Sequence, residues 1–459
     1  MRENNENRNR EIFEEYSVPR ALAELALPMI FGQLIILIYN LADTFYIGRA
    51  NNPLMVAGVA LILPVFNISI SVANLFGIGG GTLISRLLGV GKFSRAEKVS
   101  SFSFYMSGAG AAFFSCVMGL FMNQILRILG ASDDTLIYAR QYTFCVIVLG
   151  AVPTILSMTL SNLLRSTGFA RQAGFGVMMG GILNIILDPI FMFVILPPGL
   201  ETMGAGIATM LSNVAACVYF LVTLHKLGNS SNLSVSIFAC SPERGEIKSI
   251  FFVGVPAAIS VFLFDMAYIV IDKLAAGYGD IPLAAIGIVL KAERLPLCVG
   301  IGICQGMMPL AAYNYSAKNF SRMREVVRFS RLLGIVIGIF SVIFYETFAP
   351  YIMRIFIADS ETVRIGTNFL RVRAIATPFM FLCFHPVNFF QAVGSGGRAL
   401  FLGVARWAFF NIPMLFILNA IFGMYGIVWT QSIADIMTVI LSAYVYEKFL
   451  RTHVMQAAE

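Results

Sequence analysis

Apolar residues in this chain gather into long runs separated by short clusters of charge, glycine and proline. A helix rises 1.5 Å per residue, so a run of about 20 apolar residues can cross the hydrocarbon core of a bilayer. The pattern predicts twelve such spans. In the first half they lie near residues 25–47, 54–88, 98–122, 136–163, 171–196 and 204–227. In the second half they lie near 249–278, 282–314, 326–348, 364–393, 399–421 and 425–447. The expected fold class is therefore an all-α polytopic membrane protein. The polar stretch 228–248 reads as a linker between a six-helix lobe over residues 1–227 and a second over residues 249–459.

Composition rules out a soluble globular protein, because 58% of the residues are hydrophobic and only 12% are charged, with a mean hydropathy of +0.80. Twelve spans consume about 240 residues, leaving short loops and tails but no folded extramembrane domain. The net charge of +7 does not form a nucleic-acid-binding face, since Lys and Arg sit in turns between apolar runs. It reads as topological instead. Of the 32 Lys and Arg, 22 fall in the tails and even-numbered loops and 8 in the odd-numbered loops, with Lys291 and Arg294 inside a span. By the positive-inside rule both termini are expected in the cytoplasm. The first twenty residues lack the apolar core of a cleaved signal, so the first span is expected to act as the insertion signal. Seven cysteines without a CxxC pair and three dispersed histidines support neither a disulfide framework nor a zinc site.

The chain also repeats itself. Phe93-Ser94-Arg95 returns as Phe320-Ser321-Arg322, Ala131-Ser132-Asp133 aligns with Ala358-Asp359-Ser360, Arg171 with Arg398, and Asn184-Ile185 with Asn411-Ile412, all at an offset of 227 residues. Pro28 meets Pro256 at 228. Each repeat contains an even number of spans, so the halves share one orientation, and parallel repeats of this kind place a substrate site at their interface.

Several segments resemble the multidrug and toxic compound extrusion (MATE) family, and within it the DinF-like, MepA-type branch. They are Leu41-Ala42-Asp43-Thr44-Phe45-Tyr46-Ile47-Gly48, Leu183-Asn184-Ile185-Ile186-Leu187-Asp188-Pro189, the run from Ala73 to Gly81, Gln305-Gly306 with Pro309 and Tyr313-Asn314, and Phe390 to Gly394. The resemblance covers the chain from Pro28 to about Lys448. It implies an exporter with two six-helix lobes, alternating access, and exchange of substrate for protons or sodium. The expected protein is a monomeric multidrug antiporter of the bacterial inner membrane that needs no cofactor and exports lipophilic organic cations, with H+ as coupling ion and Na+ as the alternative. A lipid-linked precursor flippase and a major-facilitator exporter are the competing readings.

Ionisable groups deep in a span are costly unless paired or hydrated, which makes each a functional candidate. Asp43 shares a helix face with Asn40, and Asn184 shares one with Asp188 a turn later. Pro189 has no N–H, which frees the carbonyl of Ile185. Two carboxylates in one low-dielectric chamber can share a proton or hold Na+ between them. The family resemblance makes Asp43, Asn184 and Asp188 ion-coupling residues, metal ligands if the ion is Na+, and adds Thr209. In the second half, Asp265, Lys291, Glu293 and Arg294 form a charged group readable as a substrate pocket or as a structural network, with His385 in the tenth span. The 40 Phe, 16 Tyr and 22 Met supply adaptable apolar lining. Glycines 77 and 79–81 lie in a helical span with no following Gly-Lys-Ser/Thr, so they are expected to serve packing and not phosphate binding. No triad-like signature is present, and no enzyme activity is expected.

Overall fold

The computed structural model describes residues 11–50 and 52–452, and its regular elements there are all helical. The spans are α1 Val18–Arg49, α2 Pro53–Gly89, α3 Phe93–Ile128, α4 in two pieces (Asp133–Leu149 and Ala151–Ser166), α5 Ala170–Ile195 and α6 Glu201–Leu227. After the connecting segment come α7 Arg244–Ala276, α8 Asp280–Ser316, α9 Phe320–Phe356, α10 in two pieces (Ser360–Ala374 and Thr377–Ala392), α11 Gly396–Phe422 and α12 Met424–Leu450. Ten of these are apolar and long enough to cross a membrane, and the α4 pair makes an eleventh with a 52° bend. The α10 pair completes the twelve.

Proline chemistry explains the breaks. Pro153 follows the α4 break and Pro378 follows the α10 break, and each removes an N–H and crowds the carbonyl four residues earlier. These are corresponding spans of the two repeats, so the interruption is a property of the architecture. In α8 the helix interrupts at Glu293, where Pro296 deprives the carbonyl of Ala292 of its helical donor. The hydroxyl of Tyr345 in α9 donates to that carbonyl at 2.6 Å and replaces the missing bond.

The two halves meet along two repeat-related seams, α1 against α8 and α2 against α7. Both seams use small residues. A Cβ at Gly306 would lie 2.7 Å from Ala26 in α1, and one at Gly254 would run into the carbonyl of Leu75 in α2. Backbones this close gain dispersion contacts that a lipid-facing seam of large side chains could not make. The glycine run of α2 works the same way: Gly77 faces Asn162, Gly79 faces Gly254, and Gly80 faces Ser103, so one helix admits α4, α7 and α3.

On the face that carries the chain ends, two further fastenings cross between the halves. Ile12 and Phe13 precede α1 and are buried against the second half, where Phe13 stacks on Tyr313 with centroids 4.7 Å apart. Arg322 at the start of α9 holds this segment by donating to the carbonyls of Phe13 at 2.7 Å and Tyr16 at 2.6 Å. Its repeat counterpart Arg95, at the start of α3, donates to Glu246 and Glu243 at the start of α7, each at 2.6 Å. The connecting segment docks on α3, where Ser100, Ser101 and Tyr105 donate to the carbonyls of Ser234 and Val235 at 2.9 Å.

Three arginines that the topology count assigns to loops are in fact buried: Arg165, Arg373 and Arg406. Arg165 lies at the end of α4, Arg373 at the break within α10 and Arg406 well inside α11, and each is buried in the helix bundle. The excess of basic residues on the face of the chain ends survives their removal.

The Tyr345 bond to Ala292 is testable. Tyr345→Phe should destabilise the purified protein by about 1–3 kcal/mol by orphaning a buried carbonyl. Adding Pro296→Ala, which returns an N–H to the helix, should recover part of the loss in thermal unfolding. A Tyr345→Phe protein as stable as the parent would show that the carbonyl needs no side-chain donor.

Candidate functional site

Two polar clusters lie inside the bundle, one in each half. The first is built by α1, α4, α5 and α6 toward their ends remote from the chain termini. Asp188 is fully buried, and Asn184, one turn earlier on the same helix face, donates to its Oδ1 at 3.3 Å. The same amide reaches the hydroxyl of Thr209 in α6 at 3.2 Å. Tyr142 of α4 sits between Asp43 and Thr209, in side-chain contact with both. Tyr39 of α1 closes the chamber, within the electrostatic reach of Asp43 and Asp188. Immediately behind Pro189, α5 widens into the π-helical turn Phe191–Ile195, the departure from regular helix that a missing N–H invites.

What this chamber lacks is a cation. Among the described residues no Lys, Arg or His pairs with Asp43 or Asp188, whereas one oxygen of each carboxylate and the Asn184 carbonyl oxygen are buried without a hydrogen-bond partner. Unmatched buried acceptors of this kind are answered by a proton, a water or a positive ion. The oxygen-rich donor set fits a small hard cation, although no cluster of three or more His, Cys, Asp or Glu occurs among the described residues. Asn40 is exposed and donates to the carbonyl of Ile36 at 2.8 Å, and its side chain lies within reach of the Tyr39 phenol.

The second cluster departs from the sequence grouping. Asp265, Lys291, Glu293 and Arg294 do not form one network. Glu293 pairs in bidentate fashion with Arg373 of α10, at 2.6 and 2.8 Å. Lys291 and Arg294 make no ion pair among the described residues, and Lys291 is exposed. Asp265 is half-buried and faces Asn67 of α2 and the field of Arg294. His385 is buried away from this group, its Nε2 2.8 Å from the hydroxyl of Ser330.

Beside the Glu293–Arg373 pair lies another that the sequence reading missed. Arg406 of α11 donates to both oxygens of Asp435 in α12 at 2.9 and 3.1 Å, and Gln431 donates to the second oxygen at 2.9 Å. Asn411, the repeat counterpart of Asn184, donates to Gln431 at 3.2 Å. The Arg406 guanidinium also lies 4.3 Å from the ring centre of Phe384 and 4.6 Å from that of Trp407. Asp435 stands eleven residues into α12, deep enough in a span for the cost of an intramembrane carboxylate to have flagged it.

The sequence comparisons agree with this architecture. The family described as MatE matches residues 28–190 and again residues 256–417. The chain belongs to the MATE family. The multidrug export protein MepA of Staphylococcus aureus strain MSSA476 is 34% identical over 423 residues, covering 92% of each chain. MepA of Staphylococcus haemolyticus is 31% identical over 439 residues, covering 94% of each. Among solved structures, an outward-facing multidrug resistance MATE transporter superposes with a TM-score of 0.90 at 22% identity, covering 96% of this chain and 97% of its own. A mutant of the Vibrio cholerae MATE transporter VcmN gives 0.88 at 22% identity, covering 98% and 99%. This MATE chain is thus a multi-pass membrane transporter with the twelve-helix fold of its relatives.

The Glu293–Arg373 pair carries a stability prediction. Arg373→Met leaves a buried carboxylate without a cation and should cost about 3–5 kcal/mol, whereas the double variant Glu293→Leu/Arg373→Met should lie close to the parent. Thermal unfolding of the three purified variants reads the difference. An additive double variant would show that the two side chains do not act as a pair.

Proposed function

We propose that this protein is a proton-coupled antiporter that exports amphipathic organic cations across the bacterial inner membrane, with Asp43, Asn184, Asp188 and Thr209 as the coupling site and Tyr142 as its bridging hydroxyl. The observation that carries the reading is the first-half chamber, where two carboxylates from two helices meet without a basic partner. The MepA relatives, named as multidrug exporters, support the transport class. The basic bias of the even-numbered loops supports cytoplasmic termini and therefore a coupling site in the outer half of the bundle.

In this mechanism the lobes, residues 1–227 and 249–459, alternate between two packings. A proton entering from outside neutralises the carboxylates, and α1 and α5 then pack more closely around Asp43 and Asp188. Because α1 also forms the seam with α8, its shift is felt at the cleft between the lobes, where the half-buried Asp265 offers a carboxylate to a cationic substrate. Exchange follows when proton and drug bias α1 in opposite directions. Na+ in the same oxygen set is the alternative coupling ion.

Asp43→Asn and Asp188→Asn each mimic a permanently protonated site. Both should abolish gradient-driven efflux of an ethidium-like dye from proteoliposomes while leaving dye binding within about twofold, since a residue acting only in coupling leaves uniform binding intact. A pH step should drive the parent and a Na+ step should not; the reverse would assign the ion to Na+. Full efflux by the double Asn variant under either gradient would remove the carboxylates from the mechanism. Orientation has its own check. A variant retaining Cys240 alone should react with a membrane-impermeant maleimide in inverted vesicles and not in intact cells, and labelling of intact cells would reverse the export direction.

A further inference from the structure

The second-half cluster has its own unsatisfied valence, opposite in sign to that of the first half. Arg373 and Arg406 both line one small cavity, together with Glu293, Gln431 and the aromatic rings of Tyr268 and Trp407. The two arginines are 1% and 3% exposed, and the Nη1 group of each is buried without a hydrogen-bond partner. The acceptors next to them are already engaged. Both oxygens of Glu293 accept from Arg373, and both oxygens of Asp435 accept from Arg406, one of them from Gln431 as well. Two of the aromatic faces in its wall, those of Phe384 and Trp407, are taken by Arg406 itself. Three guanidinium groups, Arg294, Arg373 and Arg406, and one carboxylate, Glu293, act on the phenol of Tyr268 in the cavity wall. Asp435 adds a second carboxylate against these guanidiniums, and what the cavity leaves unanswered is the N–H donors of two paired arginines.

We infer that this cavity binds a monovalent anionic group, which accepts hydrogen bonds from the free Nη1 groups of Arg373 and Arg406. Planar guanidinium donors held by second partners are well suited to carboxylates and small inorganic anions. The cavity has room for about one water-sized group, which fits a halide ion or a carboxylate head and excludes a whole drug molecule. An adjoining apolar cavity shares Thr377, Met380 and Phe384 with it and continues between α8, α9 and α10, lined by Leu297, Gly334 and Phe381. It has room for only a few water-sized groups, so it would admit a short apolar tail, such as that of propionate, with the head on the two arginines. The site is separate from the coupling chamber, and its occupancy is read by binding, so a failed coupling assay leaves it standing.

The test uses the full-length protein purified in detergent and exchanged into a dilute zwitterionic buffer free of halide and carboxylate. Binding heat and thermal stability are followed on titration with sodium chloride, sodium propionate and the neutral propionamide. Saturable binding of chloride assigns the site to an inorganic anion; saturable binding of propionate without propionamide assigns it to the carboxylate of an organic ligand. In either case Arg406→Lys, which keeps the charge opposite Asp435 but loses the planar fork, should weaken the anion about tenfold, as should Arg373→Lys. Should the lysine variants fail to fold, Arg406→Met/Asp435→Leu removes the pair as a neutral unit and should abolish binding. The inference is overturned if neither anion binds saturably, if propionamide binds as well as propionate, or if the arginine variants bind like the parent.

Discussion

In a bundle surrounded by lipid, a buried charge must find its counterpart within the protein or bring one in from solution. The two halves of this molecule meet that requirement in opposite ways. The second half supplies its own counterions, Arg373 for Glu293 and Arg406 for Asp435, in bidentate geometry. The first half supplies none, and surrounds Asp43 and Asp188 with an amide, hydroxyls and phenols that orient a carboxylate without neutralising it. Two repeats with the same helix order therefore hold two different electrical problems. Only the first leaves its carboxylates without a basic partner among the described residues.

The seams make that difference matter at a distance. Near its start, α1 packs Ala26 against Gly306 of α8, and near its far end it presents Asp43 to the chamber. One continuous helix thus joins the polar cluster to the contact between halves. Because small-residue seams are tightly packed, they tolerate discrete rearrangements better than gradual ones. Pro28 lies beside the seam and removes one hydrogen bond at the place where α1 would need to bend.

Much of this was readable from sequence because lipid imposes a simple rule on the backbone, and apolar runs of sufficient length have few ways to obey it. The 227-residue offset carried the pairing of halves, and the helical spacing of Asn184 and Asp188 placed them together correctly. Spacing along one helix says nothing about what faces it from another. That is why Tyr142 was missed, and why Glu293 was grouped with Lys291 and Arg294, its chain neighbours, when its partner lies 80 residues away in Arg373. Asn40 has a partner on its own helix. A mid-helix asparagine can satisfy itself on the carbonyl four residues back, and this one does.

The fastenings on the face of the chain ends are related by the repeat and yet unlike in substance. Arg95 grips two carboxylates, one of them largely exposed, whereas Arg322 grips backbone carbonyls of a segment whose Ile12 and Phe13 are buried. A bond between opposite charges at the surface weakens with salt and with protonation of the acid, while a peptide carbonyl has no proton to gain and a buried phenylalanine is indifferent to ionic strength. The two sides of this face consequently respond to different variables. If the halves separate there, the α3–α7 side must break ion pairs, whereas the α1–α9 side must also withdraw an apolar plug and break the Tyr313–Glu14 hydrogen bond, so a pseudo-symmetric bundle is fastened asymmetrically.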